Sequence, residues 1–128
     1  MESANKNSLY HRLGELKGIE AIVDDAVDAH MTNPTVKSRF TPLLEDPNHF
    51  KQVRQHLIDF FAAGAGGNID YKGMDMLKAH KGMNISKGEY LAVMDDIMGA
   101  LEKHNIDEPT KKDVLAIIYS LREQIIGV

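Results

Sequence analysis

The chain has 128 residues, of which 43% are hydrophobic, and a formal net charge of −4. This length suits one globular domain with a core of its own, so we expect a single domain over residues 1–128, with residues 1–7 as a flexible N-terminus. The negative charge and the lack of a basic cluster exclude a nucleic-acid partner. The absence of cysteine excludes disulfide frameworks and zinc–thiolate sites.

No apolar run approaches the roughly 20 residues that a helix needs to cross a bilayer. The polar N-terminal segment MESANKNS also differs from a signal peptide, which has an apolar centre. We therefore expect a cytoplasmic, monomeric protein without a membrane partner.

The spacing of hydrophobic residues is helical along almost the whole chain, which predicts an all-α fold. Ser8 begins a short helix that is interrupted near Gly14, and a longer amphipathic helix is predicted from Gly18 to about Met31. Pro34 follows an asparagine, which indicates the start of a further short helix.

A strong helix is predicted after Pro47, and it ends at Gly66 and Gly67. Its apolar face consists of Phe50, Val53, Leu57, Phe60, Phe61 and Gly64. The segment that follows has no regular pattern before the short apolar turn MLKAH, which ends at His80.

Two further helices complete the predicted fold. Ser86 and Glu89 form a capping box at the start of the first one. Its buried stripe consists of Tyr90, Val93, Met94, Ile97, Met98 and Leu101. The last helix begins near Pro109, and its buried residues are Val114, Leu115, Ile117, Ile118, Leu121 and Ile125.

His80 is the residue best placed to carry chemistry. Met76, Leu77 and Ala79 surround it with apolar groups on a short, adjustable element. A histidine held in this way at the wall of a buried pocket suits an axial ligand to a flat metal cofactor. The alternative is a partly exposed histidine between two lysines.

Several motifs together resemble group I of the truncated haemoglobins. They are the opening SLYHRLG, Phe40, the Gly66–Gly67 pair thirteen residues before the histidine of MLKAH, and the continuation through Gly82 and Ile85. The resemblance covers nearly the whole chain. It implies a two-over-two helical sandwich, in which two antiparallel helix pairs cross one another with haem between them.

By this resemblance, His80 is the proximal ligand of the iron, and Phe40 stacks on the haem. The implied cofactor is haem b (iron protoporphyrin IX), and the implied ligands are the small gases O2, NO and CO. We expect the haem to be bound non-covalently. No cysteine is present to form a thioether, and the last helix has no histidine to react with a vinyl group.

The chain departs from the family on the opposite, distal side of the haem. The family commonly has a tyrosine and two glutamines there, which hydrogen-bond dioxygen. In an ungapped alignment, the tyrosine position is Val27 and the glutamine positions are Val53 and Leu57. Because none of these three side chains can donate a hydrogen bond, the usual polar network is missing.

His56 is the remaining candidate on the distal side. It lies about 60° from Val53 and about 40° from Phe60 around the helix, on the flank of the apolar face. Some family members have a histidine at this position that binds the iron, so we predict that His56 and His80 are both metal ligands. The alternatives are an open site, with His56 facing water or a propionate, or ligation by His30, for which a buried or helix-end role is favoured.

The rest of the pocket is predicted from chemistry and position. Cationic side chains bind haem propionates, and among Lys51, Arg54, Lys78 and Lys81 we assign Arg54 and Lys78 to this role. The apolar wall is predicted to include Phe40, Val53, Leu57, Phe60, Phe61, Leu77, Val93, Met94, Ile97 and Ile118. His11, His49 and His104 are expected at the surface. A zinc or copper site at His49 and His56 lacks further ligands.

Three functions are compatible with these features. The first is a haem protein with bis-histidyl iron that binds gases after the distal histidine leaves, in a redox, NO-related or sensing role. The second is an O2 carrier or an O2-dependent nitric oxide dioxygenase with an open distal site, which would need a reductase partner. The third is a haem-free helical interaction domain.

Overall fold

The computed structural model describes residues 8–128, so the predicted flexible N-terminus lies outside the described residues. Within this range the elements are α1 (Leu9–Arg12), α2 (Glu15–Thr32), α3 (Lys37–Phe40), a 3-10 helix (Thr41–Glu45), α4 (Pro47–Gly64), α5 (Met76–His80), α6 (Lys87–Lys103), α7 (Glu108–Ser120) and α8 (Arg122–Ile125). Residues 8–128 form no β-sheet, and a single isolated bridge joins Ile85 and Ile126. The prediction of an all-α fold is confirmed.

The long helices surround one hydrophobic core. α2 packs against both α4 and α6, and α7 packs against α6. Ile19, Ile58 and Leu101, from three of these helices, are at most 1% exposed. The remaining short helices lie at the edges of this bundle, where α1 contacts α2 and α5 contacts α8.

The first two helices are separated by a glycine turn. Ser8 caps α1 by accepting a hydrogen bond from the backbone N–H of His11. Gly14 then has a left-handed conformation, and α2 begins at Glu15, so the predicted start at Gly18 is wrong. Gly18 instead lies inside α2, where a Cβ atom would come within 2.1 Å of the carbonyl oxygen of Leu13. The glycine is needed there for close packing.

The predicted helix start at Pro34 is also wrong, because Asn33 begins a turn. Its Oδ1 atom accepts a hydrogen bond from the backbone N–H of Thr35 at 3.0 Å. This side chain to backbone bond competes with helix formation, and α3 begins only at Lys37.

α4 begins and ends at its predicted signals. Asp46 caps it, Pro47 occupies its first turn, and the predicted glycine pair follows its last residue, Gly64. Gly66 is left-handed, and the Gly67 N–H donates to the carbonyl oxygen of Ala62, which closes the helix end.

The buried face of α4 differs from the prediction. The fully buried residues are Ile58 and Ala62. Most of the predicted face is only half-buried, and Gly64 is exposed; the half-buried members are Phe50, Val53, Leu57, Phe60 and Phe61. The core side of α4 is therefore narrow, and an apolar flank beside it is left partly open.

α6 begins at the predicted capping box, which is confirmed. Ser86 Oγ accepts from the N–H of Glu89, and Glu89 Oε1 accepts from the N–H of Ser86, each at 3.0 Å.

The last predicted helix is interrupted, since α7 ends at Ser120. Leu115, predicted to be buried, is 37% exposed because Val114 and Ile118 occupy the core-facing positions of α7.

Candidate functional site

The imidazole of His80 is held in a defined orientation by its own helix. Its Nδ1 atom lies 2.8 Å from the carbonyl oxygen of Met76, one turn earlier in α5. A carbonyl oxygen only accepts hydrogen bonds, so Nδ1 carries a proton, and the lone pair of the neutral ring is on Nε2. A backbone carbonyl bonded to one ring nitrogen is the usual arrangement of a histidine that binds a metal through the other.

The surface beside His80 is apolar and open. Asp75 caps α5 by accepting from the backbone N–H of Lys78 at 2.8 Å. Leu77 precedes His80 by three residues, so the two side chains are neighbours on one face of the helix. Leu77 is 46% exposed, although leucine gains free energy from burial. An apolar face of this kind next to a free imidazole nitrogen suits a flat apolar cofactor.

His56 lies on the half-buried flank of α4 and contacts the loop that leads to α5. Its ring meets Tyr71 edge-on, with 6.2 Å between the ring centroids. The ring of Phe60 also contacts Tyr71 edge-on, with 5.3 Å between the ring centroids. Tyr71 therefore connects the α4 flank to the segment that carries His80.

Tyr71 was missed by sequence reasoning because it lies in a segment without helical periodicity. Its hydroxyl donates to the carbonyl oxygen of Met74 at 2.6 Å, which shapes the loop. Burial raises the pKa of this hydroxyl, and the nearby Asp75 acts in the same direction. An aromatic residue in a glycine-rich loop was the available signal.

The three apolar positions of the predicted distal side are not exposed. Val27 is 6% exposed in α2, and Val53 and Leu57 are half-buried on α4. Among the other predicted wall residues, Met94, Ile97 and Ile118 are buried, whereas Phe61 and Val93 are half-buried.

His30 is buried at the end of α2, as expected. Its Nδ1 atom lies 2.8 Å from Oδ2 of Asp96, and the Asn33 amide donates to the same carboxylate. Burial lowers the pKa of His30, and the hydrogen bond to Asp96 opposes this effect. The sequence placed Asp96 on a helix face and gave no sign of this contact.

Phe40 is half-buried and stacks on His30. The ring centroids are 4.6 Å apart, and the ring planes are inclined by 28°. The phenyl ring predicted to contact haem is therefore supported by a histidine that Asp96 holds in place.

The two predicted propionate ligands differ in their surroundings. Arg54 makes a bidentate ion pair with Asp24, at 2.5 Å from Nε and 2.9 Å from Nη2, and this pair raises the pKa of the guanidinium. Lys78 is exposed, and its ammonium forms no ion pair with any residue in the described range 8–128. The assignment of both to propionates stays a prediction.

The other histidines do not build a metal site. His11 pairs with Glu15 at 3.0 Å, His104 pairs with Asp25 at 2.6 Å, and His49 is exposed. His104 is half-buried, so its predicted surface position is only partly right. The described part of the chain contains no group of three His, Cys, Asp or Glu side chains that could hold a metal ion.

No helix within residues 8–128 is long and apolar enough to span a membrane.

A sequence model of the bacterial-like globin family matches residues 8–126. This chain belongs to the bacterial-like globin family. Two relatives described next are group 1 truncated hemoglobins, and together with this match they confirm the predicted resemblance to that group.

The relatives of this globin span nearly all of it. The group 1 truncated hemoglobin of Tetrahymena pyriformis is 26% identical over 120 residues, which cover 94% of this chain and 95% of the relative. The group 1 truncated hemoglobin GlbN of Mycolicibacterium paratuberculosis is 24% identical over 122 residues, with 95% and 86% coverage.

Solved structures show the same fold. The truncated hemoglobin from Tetrahymena pyriformis in its Fe(III) form has a TM-score of 0.82 at 21% identity, with coverage of 95% of this globin and 100% of that chain. The 2/2 hemoglobin from Synechococcus sp. PCC 7002 has a TM-score of 0.79 at 20% identity, with 91% and 94% coverage. The predicted two-over-two globin fold is confirmed.

This family binds haem and small gaseous ligands. The residues of this globin fit such a cofactor. His80 offers a lone pair on Nε2, Leu77 exposes an apolar surface beside it, and the flank of α4 that carries His56 is apolar and incompletely buried.

Proposed function

We propose that this globin binds haem b non-covalently, with His80 as the proximal ligand and His56 as the distal ligand. O2, NO or CO binds after His56 leaves, in a redox, NO-related or sensing role. The observation that carries the proposal is the composition of the distal side. Val27, Val53 and Leu57 provide no hydrogen-bond donor, while a half-buried imidazole lies on the same flank of α4.

The hydrogen bond of His80 to Met76 supports its proximal role. Because Nδ1 donates to the carbonyl oxygen of Met76, the orientation of the ring is fixed before a ligand binds, with Nε2 left for the metal. Haem, when bound, supplies an iron centre for gas binding and one-electron transfer. The side chains of α4 and α5 supply the two imidazoles and an apolar environment.

The distal role of His56 is supported by its place at the edge of the core and by the gain that coordination gives to a ring that moves inward. His56 contacts the ring of Tyr71, and its position on the flank of α4 keeps it at the edge of the core. A polar ring that moves inward, into apolar surroundings, loses its hydrogen bonds to water, and coordination offsets this loss. An incoming gas therefore has to displace His56.

The carrier and dioxygenase alternatives need a distal hydrogen-bond donor, which the three apolar side chains do not provide. In a closed site, the apparent affinity for a gas is the intrinsic affinity multiplied by the fraction of time that His56 is released. We further propose that the protein is a monomeric, cytoplasmic globin and that a reductase supplies its electrons.

Stopped-flow binding of CO to the ferrous protein tests this proposal. The binding rate should reach a plateau at high CO concentration, where release of His56 becomes limiting. In His56→Ala the rate should rise linearly with CO concentration, and in the control variant His49→Ala the plateau should persist. A linear dependence in the unsubstituted protein would contradict the proposal.

A further inference from the structure

The helix that carries His80 is too short to hold the residue by itself. α5 has five residues, and isolated helices of this length are unstable in water. The following segment, residues 81–85, is called here the His80 loop. It contains no helix, and its first turn closes with a hydrogen bond from the N–H of Met83 to the carbonyl oxygen of His80, at 3.0 Å.

The last three residues of the chain, 126–128, pair with the His80 loop and are called here the tail segment. The backbone oxygen of Val128 accepts from the N–H of Gly82 at 3.2 Å and from the N–H of Asn84 at 2.8 Å. In return, the Gly127 N–H donates to the carbonyl oxygen of Ile85 at 2.8 Å, beside the parallel bridge to Ile126.

The path of the chain brings the tail segment to this place. α7 ends at Ser120, and α8 then turns and packs against α5. The interruption of the last helix, which sequence reasoning did not predict, therefore places a strand-like segment beside the loop that follows His80.

The paired backbones of the His80 loop and the tail segment have conformations that few residue types adopt. Gly82, Asn84 and Gly127 have φ angles of 90°, 49° and 71°. Glycine and asparagine tolerate the left-handed region, whereas most side chains are strained there. A Cβ atom at Gly127 would meet nothing within 4 Å, so the backbone and not the available space requires this glycine.

Arg39 also holds the His80 loop, through the carbonyl oxygen of Met83. Arg39 Nη1 donates to the carbonyl oxygen of Met83 at 2.9 Å, and the rest of its guanidinium binds both carboxylate oxygens of Glu89. Because Arg39 precedes Phe40, the loop is fixed between the tail segment and the helix that carries the predicted haem-stacking phenylalanine.

We propose that the tail segment is a positioning element for His80, which fixes the end of α5 and thereby the direction of the imidazole toward the haem. This inference rests on the proposed role of His80 as the proximal ligand. Gly127 is its key residue, because both its N–H and its positive φ are needed for the pairing.

The test compares two substitutions in the His56→Ala protein, where the ferrous iron lacks the proposed distal histidine. Gly127→Pro removes the N–H and excludes a positive φ, whereas Gly127→Asn keeps the N–H and tolerates the left-handed region. Amide hydrogen exchange reports on the loop, and the iron–histidine stretching band in the resonance Raman spectrum reports on the imidazole.

In Gly127→Pro, exchange at Gly82 and Asn84 should accelerate by roughly tenfold or more, since the bonds that protect these amides are lost. The iron–histidine band should also shift or broaden, and haem should be lost faster. Gly127→Asn should match the parent in all three. Gly127→Val is a milder change that keeps the N–H but disfavours a positive φ. It should change the three measurements in the same direction as Gly127→Pro, and it replaces the proline variant if that variant does not fold.

Two results would overturn the inference. One is unchanged exchange at both amides in Gly127→Pro. The other is accelerated exchange with the same iron–histidine band and the same rate of haem loss, because the tail would then hold the loop without directing His80. A parent protein that stays low-spin and therefore lacks this band would contradict the proposed distal role of His56, while exchange and haem loss would still test the tail segment. A parent protein that binds no haem would contradict the proximal role of His80, and with it both proposals.

Discussion

The imidazole of His30 lies against the phenyl ring of Phe40, with ring centroids 4.6 Å apart and planes inclined by 28°. The histidine is 5% exposed, and Asp96 of α6 binds its Nδ1 atom. Phe40 is thus supported by a side chain that is itself fixed to another helix. This relationship explains how a short helix such as α3 holds an aromatic ring at a defined position.

Removing the carboxylate of Asp96 should destabilise the fold. In Asp96→Ala, the buried Nδ1 of His30 and the amide of Asn33 both lose their acceptor, at a cost of about 2 to 3 kcal/mol. The control is Asp95→Ala, an exposed neighbour whose loss should change the free energy of unfolding by less than about 0.5 kcal/mol. Urea unfolding measures both, and equal effects of the two substitutions would show that the His30 contact is not stabilising.

His30 should also make stability depend on pH. Burial lowers its folded-state pKa below the ordinary 6.5, so the unfolded chain takes up a proton at pH values where the folded chain does not. Stability should therefore fall as the pH decreases through 6.5 toward the lowered value. His30→Gln should reduce the loss of stability between about pH 8 and about pH 5. Exposed His49→Gln should leave that loss unchanged, and an unchanged loss in His30→Gln would contradict the assignment.

The ion pair between Arg39 and Glu89 should stabilise the fold fully only at pH values where Glu89 is ionised in both the folded and the unfolded chain. The hydrogen bond from Arg39, followed by that from the Ser86 N–H, lowers the pKa of Glu89 to about 2. The stabilisation is complete above the ordinary pKa of 4.5 and is lost as the pH falls from there toward 2.

Glu89→Gln, which removes the ion pair but keeps an amide oxygen to accept from the Ser86 N–H, should cost about 1 kcal/mol at neutral pH. The difference from the unsubstituted protein should shrink in acid. Glu45→Gln, at an exposed position, is the control. The two free energies of unfolding are compared across the acid range, and a cost of Glu89→Gln that does not depend on pH would argue against the pair.

Alanine substitutions at two glycines near the end of α4 should differ in their effect on the stability of the fold. A Cβ atom at Gly67 would lie 2.6 Å from the ring of Tyr10 and 2.9 Å from the carbonyl oxygen of Ala62. Gly67→Ala should therefore cost about 1 to 3 kcal/mol through overpacking. At Gly64, the last residue of α4, nothing lies within 4 Å, so Gly64→Ala should be neutral or stabilise by up to about 1 kcal/mol. Thermal unfolding distinguishes the two, and the same sign for both would contradict the packing of α1 on this turn.

Local signals in the sequence predicted the element boundaries that depend on neighbouring residues. The capping box of Ser86 and Glu89, the proline that opens α4 and the left-handed Gly66 were all recognised, because each acts within a few residues of itself. The start of α2 was misplaced because a glycine often indicates a helix boundary, whereas Gly18 lies inside the helix and leaves room for the carbonyl oxygen of Leu13, five residues earlier.

The site was predicted in outline, and the contacts between distant parts of the chain were not. His80 was identified from its short apolar turn and from the family resemblance. Asp96, Tyr71 and Gly127 were missed, since their contacts involve helices or loops far apart in sequence. The ion pair of Arg54 with Asp24 was likewise hidden, because charged residues on two helix faces look solvated until the helices pack.

The absorption spectrum of the ferrous protein without added ligand tests the central claim, which is coordination of haem iron by both His80 and His56. We predict sharp, split low-spin bands for the unsubstituted protein, a broad high-spin band for His56→Ala, and retention of the low-spin bands in His30→Ala. A broad high-spin band in the unsubstituted protein would contradict the claim. Loss of the low-spin bands in His30→Ala but not in His56→Ala would instead make His30 the distal ligand.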